Sequence, residues 1–331
     1  MTQQLIPFIS QLALSEQLLW LERLNERLLQ LITSQHDVEG VSPEQSIKIV
    51  LAERLSTLEK SQCEIAIVAN PDPKVLADFP HLVWVQSLWA GVERLIAEIP
   101  SPTFKIVRLI DPCLAQTMAE AVVAWSYYLH RDMPQYLSQQ CRQHWQQHPV
   151  ALTSERTIGV LGLGELGQAS AEKLRLNGFN VLGWSRTQKS IDNIVCLSGQ
   201  DGLAQLFSES DVVIVLLPLT EQTSGLINRD LLSKMKPTAG LINFARGKIV
   251  HHEDLITALN ENLLAHAVLD VFVQEPLPQD NRLWQHPNIT ILPHISAPTN
   301  QETACQIVCK NIRNYFVSGK TPLSIDLTKG Y

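Results

Sequence analysis

The sequence predicts an α/β protein built on doubly wound parallel sheets, and three observations carry that prediction. From about Thr157 onward, short apolar runs recur over 157–161, 180–184, 211–216, 240–244, 267–271 and 289–292, mostly separated by helical segments; such alternation implies a parallel sheet covered on both faces. The first of these runs leads directly into Gly162-Leu163-Gly164-Glu165-Leu166-Gly167 and a helical stretch, the strand, glycine turn and helix that receive a dinucleotide. The chain has 331 residues, 45% hydrophobic and 18% charged, which is long enough for two domains and too apolar for wholesale disorder.

Ahead of residue 157 the pattern is also βα, though less regular. Residues 5–9 read as a strand, and Leu18, Leu21, Leu24 and Leu28 mark one face of an amphipathic helix started by Ser15. Residues 65–69 form a buried strand stopped by Asn70-Pro71-Asp72-Pro73, and residues 82–85 a further strand ending at Ser87-Leu88-Trp89-Ala90-Gly91. The apolar stretch 118–129 is expected to bridge the two parts of the chain. In the second part a helix is predicted over 168–176, closed by Asn177-Gly178, and a last helix over 301–316. One helix is not a domain, so the last is expected to pack back on the first segment.

Charge and cysteine usage narrow the function classes. With 26 Lys+Arg against 33 Asp+Glu the net charge is −7, and no basic run offers a nucleic-acid or anionic-membrane surface. The first ten residues lack a basic stretch followed by an apolar segment, and the longest apolar run, 212–217, is too short for a membrane span. The expectation is a soluble, cytoplasmic protein. Cys63, Cys113, Cys141, Cys196, Cys305 and Cys309 form no C-x-x-C pair and read as free buried thiols of a reducing compartment, with Cys305 and Cys309 sharing a helix face in the core. Histidines such as His251, His252 and His286 fall at expected loops or helix starts without metal-ligand spacing, so no metal is expected.

The glycine loop defines the first candidate site. Gly162 permits the tight turn, Gly164 lets a pyrophosphate approach the backbone, and Gly167 allows close helix–strand packing, with the helix N-terminus behind Glu165 and Leu166 facing the phosphates. About 20 residues on, an acid would hold the ribose 2′-hydroxyl of NAD. The chain instead reads Trp184-Ser185-Arg186-Thr187-Gln188-Lys189. Arg186 offers a planar fork for a 2′-phosphate, Ser185 and Thr187 add hydroxyl donors, and Lys189 adds a second cation. NADPH is therefore the expected cofactor, with NADH as the alternative.

Ligands of open α/β sheets sit beyond the carboxyl ends of the strands. Three ionisable residues follow successive strand ends there: Arg246 in Asn243-Phe244-Ala245-Arg246-Gly247, Glu275 in Asp270-Val271-Phe272-Val273-Gln274-Glu275-Pro276, and His294 in Pro293-His294. Reduction of a 2-oxo acid by NADPH needs these types. A histidine titrating near neutrality protonates the carbonyl oxygen, a carboxylate holds the imidazole and favours its charged form, and a guanidinium binds the substrate carboxylate and polarises the carbonyl.

At these residues the sequence resembles the D-2-hydroxy-acid dehydrogenases. The resemblance runs through Pro218-Leu219-Thr220, Thr223, Gly225-Leu226-Ile227-Asn228, Asn243 to Gly247, Leu269-Asp270-Val271-Phe272, Glu275-Pro276-Leu277-Pro278 and Pro293-His294. It implies Arg246, Glu275 and His294 in the catalytic roles above. Around the nicotinamide cofactor it implies Asp270 and the backbone near Phe244 and Ala245, with Pro218 and Thr223 as further contacts. Within that family the chain is most similar to the glyoxylate/hydroxypyruvate reductase A branch, through Val68-Ala69-Asn70-Pro71-Asp72-Pro73, Ala90-Gly91-Val92, Met118-Ala119-Glu120, Trp184-Ser185-Arg186 and Val250-His251. In that branch the loop Trp89-Ala90-Gly91 is where backbone N–H groups hold the substrate carboxylate. Glu93 departs from the usual Asp, and Asn262 replaces a common glycine at a helix end, where Asn tolerates the left-handed conformation. Residues 30–59 match the branch poorly and carry extra helical residues.

The resemblance implies two Rossmann-like or flavodoxin-like parallel-sheet domains with an active-site cleft between them: a discontinuous substrate domain of residues 1–112 plus 300–331, and a cofactor domain of residues 113–299. Two crossings between the domains would form a hinge that closes the cleft. It also implies a homodimer, for which residues 113–150, with Trp125, Tyr127, Tyr128 and Trp145, are the candidate interface. The expected reaction is reduction of glyoxylate to glycolate and hydroxypyruvate to D-glycerate. Alternatives are a dehydrogenase for a bulkier 2-oxo acid or for phosphoglycerate, and a dinucleotide-sensing binding protein of the corepressor kind; Glu275 disfavours formate dehydrogenase chemistry.

Overall fold

The computed structural model describes residues 3–33 and 47–327. The chain divides into two compact units, one comprising Met1–Asp111 with Thr299–Tyr331 and the other Pro112–Pro298.

In the first unit the elements are β1 (Gln4–Ser10), α1 (Leu14–Thr33), β2 (Ile47–Leu51), α2 (Thr57–Lys60), β3 (Ile65–Ala69), α3 (Pro73–Leu76), β4 (Trp84–Ser87), α4 (Glu93–Glu98) and β5 (Lys105–Val107). The strands make a five-stranded sheet in the order β2-β1-β3-β4-β5, parallel throughout. This is the flavodoxin-like order, with its reversal between β1 and β3.

Several boundaries differ from the sequence reading. Helix α1 begins at Leu14 on the carbonyl of Ala13, which accepts the N–H of Glu16 and Gln17, so Ser15 lies inside the first turn rather than starting it. The buried stripe is Trp20, Leu21, Leu24 and Leu28, while Leu18 is exposed. Trp20 lies closer to the centre of that stripe, and its ring meets Trp89 edge-on at 6.2 Å. The strand expected over 82–85 lies at Trp84–Ser87, because the polar Gln86 and Ser87 are buried and paired: the Gln86 amide donates to the Ser87 carbonyl, and Asn311 donates to Gln86 Oε1. In the stretch expected to carry extra helix, residues 34–46 lie outside the described residues, and Ile47–Leu51 is a strand paired with β1.

The second unit contains α5 (Pro112–His130), α6 (Met133–Cys141), β6 (Thr157–Leu161), α7 (Glu165–Leu176), β7 (Asn180–Trp184), β8 (Val195–Leu197), α8 (Gly199–Glu209), β9 (Val212–Val215), α9 (Arg229–Leu232), β10 (Gly240–Asn243), α10 (His252–Asn260), β11 (His266–Leu269) and β12 (Ile289–Ile291). Its seven strands run β12-β11-β10-β9-β6-β7-β8, all parallel. The order reverses between β6 and β9, the switch point at which such sheets bind ligands. Strands β9, β10 and β11 are buried at every residue, which is why they read as unbroken apolar runs. The edge strands β5 and β8, three residues each, are too short to register in that pattern.

Helix α5, expected to bridge two parts, opens the second unit and packs on α7. The chain's last helix, α11 (Gln301–Ser318), packs on α1 in the core of the first unit, as its isolation in sequence predicts. Cys63, Cys305 and Cys309 are buried, but Cys141 is exposed and Cys113 and Cys196 are half-buried. The expectation of six buried thiols fails at Cys141 because α6 buries none of its residues. His266 is not in a loop: it opens β11, buried, with Nε2 2.8 Å from the Thr290 hydroxyl, and burial pushes it down to about 4. Among the described residues no helix is long and apolar enough to cross a membrane.

Candidate active site

Register brings the candidate residues of the second unit to one edge. Leu161 pairs with Val215, Val215 with Asn243, Asn243 with Leu269, and Leu269 with Ile291. The last residues of five strands are therefore level, and the segments carrying Gly162, Pro218, Arg246, Asp270 and His294 all leave the sheet along the same carboxyl edge.

The glycine loop opens that edge. Gly162 has φ +102°, a conformation closed to most side chains, and a Cβ there would lie 2.8 Å from the Leu216 carbonyl oxygen. A Cβ on Gly167 would overlap the Gly162 carbonyl, whereas one on Gly164 would meet nothing within 4 Å. Helix α7 starts at Glu165 with Gly164 as its cap, three residues before the sequence reading put it. Glu165, Leu166 and Gly167 thus form its first turn, whose N–H groups have no partner inside the helix.

After β7, Ser185 is buried and its hydroxyl donates to the Thr187 carbonyl at 2.7 Å. Arg186 is exposed and its Nη1 reaches Gln222 Oε1 at 3.5 Å. Lys189 Nζ sits 2.5 Å from the Leu163 carbonyl. The Thr223 hydroxyl donates to the Pro218 carbonyl at 2.7 Å and accepts from Thr220 N, which closes that turn on itself.

Arg246 follows a turn held by a residue the sequence reading left without a role. Asn243 is fully buried; its Oδ1 accepts the Ala245 N–H and its Nδ2 donates to the Arg246 carbonyl, both at 3.1 Å. The signal was a lone amide ending an apolar strand. Phe244 N donates to Val215 O, and Arg246 Nη1 to Ala245 O at 2.7 Å. A Cβ on Gly247 would collide with the Phe272 backbone, so the Arg246 turn lies directly against the segment that carries Glu275.

Glu275 and His294 meet. Oε2 of Glu275 is 2.7 Å from Nδ1 of His294, and Oε1 accepts the Phe272 N–H at 2.8 Å. The side chains are 36% and 52% exposed respectively, open enough to be reached from outside. The Glu275 hydrogen bond raises the His294 pKa, opposed by burial, while the charges of Glu275 and Asp270 add to the rise and Arg246 works against it. For Glu275 burial raises the pKa, but the bonds from His294 and Phe272, with the charges of His294 and Arg246, outweigh it and hold the carboxyl below its ordinary value. Asp270 is buried, and its two oxygens accept the N–H groups of Ile295 and Ser296 at 2.7 and 2.9 Å. That clamp adjoins His294, which has φ +54°, a conformation uncommon for a non-glycine residue.

The remaining candidates, Trp89, Ala90 and Gly91, lie at the carboxyl end of β4 in the first unit. Ser87 Oγ accepts the Trp89 N–H at 3.0 Å, and the Trp89 carbonyl accepts from Leu109. Ala90 and Gly91 are half-buried.

The family model for the NAD binding domain of D-isomer specific 2-hydroxyacid dehydrogenases matches residues 123–296. The chain belongs to this family. A 2-hydroxyacid dehydrogenase relative, the glyoxylate/hydroxypyruvate reductase A of Yersinia enterocolitica, is 37% identical over 276 residues, 81% of this chain and 88% of that protein. A D-isomer specific 2-hydroxyacid dehydrogenase from Xanthobacter autotrophicus, solved with NADPH and MES, aligns over 99% of both chains with TM-score 0.85 and 32% identity. The NADPH-dependent glyoxylate/hydroxypyruvate reductase of Sinorhizobium meliloti, solved with NADP and sulfate, aligns over 99% of this chain and 100% of its own, with TM-score 0.81 and 26% identity.

As a 2-hydroxyacid dehydrogenase the chain is an NAD(P)-dependent enzyme, and its own residues fit a dinucleotide. The backbone at Gly164 is open, since a Cβ there would meet nothing within 4 Å, and it stands at the N-terminus of a 12-residue helix, an arrangement that suits a pyrophosphate.

Proposed function

We propose that this enzyme uses NADPH to reduce small 2-oxo acids, glyoxylate to glycolate and hydroxypyruvate to D-glycerate. The observation that carries the reading is the Glu275–His294 pair, held along the same sheet edge as a glycine loop shaped for a dinucleotide. The names of the relatives from Yersinia enterocolitica and Sinorhizobium meliloti point to the same substrates.

In this reading Gly162, Gly164, Glu165, Leu166 and Gly167 hold the pyrophosphate. Arg186 and Thr187 hold the 2′-phosphate on a turn that Ser185 fixes through its bonds to the Thr187 and Leu197 carbonyls, and the absence of an acid at the end of β7 favours NADPH over NADH. Pro218, Thr223, Phe244, Ala245 and Asp270 line the nicotinamide side. Bound NADPH supplies the hydride to the carbonyl carbon. Glu275, ionised at neutral pH and so only an acceptor, accepts the hydrogen bond from Nδ1–H of His294; Nε2 is then the nitrogen that gives its proton to the carbonyl oxygen. Arg246 binds the substrate carboxylate and stabilises the charge growing on the carbonyl oxygen. In the first unit the Trp89–Gly91 loop is the carboxylate-binding candidate through the backbone N–H groups of Ala90 and Gly91, the Trp89 N–H being engaged by Ser87, which makes that unit the substrate domain.

We further propose a cytoplasmic homodimer. Of the candidate interface 113–150, Trp125, Tyr127 and Tyr128 pack partly buried against the core of their own unit, whereas α6 to Val150 exposes Met133, Leu137, Val150 and Trp145, the last 94% accessible, a concentration of apolar surface that a second copy would cover. Six free thiols suit a reducing compartment. A monomeric mass by sedimentation at micromolar concentration would refute the dimer.

The deciding experiment is steady-state oxidation of NADPH and NADH with glyoxylate, hydroxypyruvate, pyruvate and phenylpyruvate, using His294→Ala as control. The expected result is turnover favouring NADPH and the first two acids and lost in the variant. Preference for phenylpyruvate or for NADH, or turnover that survives His294→Ala, overturns the corresponding part.

A further inference from the structure

The two cations of the turn after β7 aim at different neighbours. Arg186 reaches toward Gln222, whereas Lys189 sets its ammonium on the carbonyl of Leu163, inside Gly162-Leu163-Gly164. The same carbonyl accepts a second donor, Nε2 of Gln168, at 2.8 Å. The turn is itself anchored, since Ser185 N bonds to Leu197 O and Gln188 Nε2 to Cys196 O at 2.9 Å. Lys189 is therefore delivered to the glycine loop by a fixed piece of backbone.

A peptide unit is planar and trans, so its carbonyl and N–H point opposite ways. With the Leu163 oxygen pinned from behind by Lys189 and Gln168, the Gly164 N–H is turned away from them. A charged donor on the carbonyl also polarises the peptide and makes its N–H a stronger donor. Of the three glycines of the loop, Gly164 is the one whose Cβ would meet nothing within 4 Å.

We infer that Lys189 is a positioning residue for the pyrophosphate half of the cofactor site, acting through the Leu163–Gly164 peptide, rather than a reader of the 2′-phosphate. The inference rests on the proposed dinucleotide site and divides its labour: Arg186 selects NADPH over NADH, and Lys189 strengthens a contact common to both.

The test is equilibrium binding of NADPH, NADH and 2′-AMP to the purified full chain, read by nucleotide fluorescence or calorimetry, for wild type, Lys189→Met, Lys189→Arg and Arg186→Ala. Lys189→Met keeps the stem and removes the ammonium. It is expected to raise Kd for NADPH and NADH by the same factor, about tenfold, the size of a lost charge-assisted hydrogen bond. Binding of 2′-AMP, which has the 2′-phosphate without the pyrophosphate, should be unchanged, and Lys189→Arg should restore both dinucleotides to within about threefold. Arg186→Ala should weaken NADPH and 2′-AMP but not NADH. A Lys189→Met protein with an unchanged melting temperature that loses only NADPH and 2′-AMP, or loses nothing, overturns the inference. Equal wild-type affinity for NADH and NADPH sinks the NADPH reading instead, and leaves the Lys189 inference standing if Lys189→Met still weakens both.

Discussion

The carboxylate of Glu275 holds Nδ1 of His294 at 2.7 Å with one oxygen and the backbone N–H of Phe272 at 2.8 Å with the other. The imidazole is thereby tied to a carboxylate that is itself tied to the main chain. The pair sets both the orientation of the ring and its proton affinity.

The first prediction is a pH dependence. The Glu275 hydrogen bond raises the His294 pKa above the ordinary 6.5, so the protonated form that the proposed reduction requires persists above that pH. In Glu275→Gln the carboxylate is gone, while burial and the Arg246 charge remain and both lower the pKa. The alkaline limb of reductive kcat/KM should therefore move to lower pH in the variant. Stability follows the same linkage. The raised His294 contributes stability that is fully present below 6.5 and lost as pH rises through its folded value; the lowered Glu275 contributes stability present above 4.5 and lost as pH falls through its own. The melting-temperature gap between wild type and Glu275→Gln should be widest between those two values. Coincident pH limbs would show that the pair does not set the proton affinity.

A second prediction separates two glycines of one loop. Gly167→Ala places a methyl group into the Gly162 carbonyl and should lower the melting temperature, at a cost of about 1–3 kcal/mol for forced overpacking. Gly164→Ala meets no atom within 4 Å and has an ordinary φ of −73°. The protein should fold as wild type yet bind NADPH and NADH at least tenfold more weakly, because in the proposed site the methyl group would occupy the pyrophosphate's approach. Calorimetry of unfolding and of binding tests both; a Gly164→Ala protein with normal affinity would remove that glycine from the site.

Much of this was legible in the sequence because the second unit is a parallel sheet with both faces covered. Its strands are apolar throughout, so β6, β7, β9 and β10 stand out, and the ionisable residues after them are conspicuous. What was not legible depends on contacts between distant segments. Gln86 and Asn243 are polar residues buried in strands, acceptable only because Asn311 and the Arg246 turn pair with them. Lys189 reads from sequence as a second phosphate cation, and only the fold reveals the Leu163 carbonyl beside it. The left-handed backbone of His294 leaves no trace in composition, and the Asp270 carboxylate that holds the chain just after it comes from 24 positions earlier.

Asn243 supplies a third prediction. Its side chain pairs with the Ala245 N–H and the Arg246 carbonyl from a fully buried position. Asn243→Ala leaves both backbone groups without that partner, a loss of about 1–3 kcal/mol visible as a lower denaturation midpoint. The Arg246 turn should loosen as well, raising KM for the 2-oxo acid more than it lowers kcat. In an Arg246→Ala background the same substitution should cost stability but little further activity, because the residue through which it acts is already gone. Equal and additive activity losses in the two backgrounds would assign Asn243 a role independent of Arg246.

Asp270 is the fourth case, and it separates geometry from charge. Its two oxygens accept the N–H groups of Ile295 and Ser296 and so hold the chain immediately after His294. Its charge also favours protonated His294, though less than the hydrogen bond that the ring donates to Glu275 does. Asp270→Asn keeps one acceptor oxygen and removes the charge, so the alkaline limb of reductive kcat/KM should shift downward by less than in Glu275→Gln. Asp270→Ala removes the clamp altogether; His294 is then released from a backbone conformation that costs free energy, and kcat should fall well beyond what the altered proton affinity explains. Profiles of the two variants that coincide after normalisation, with equal maximal rates, would mean that Asp270 acts by charge alone and that the clamp is dispensable.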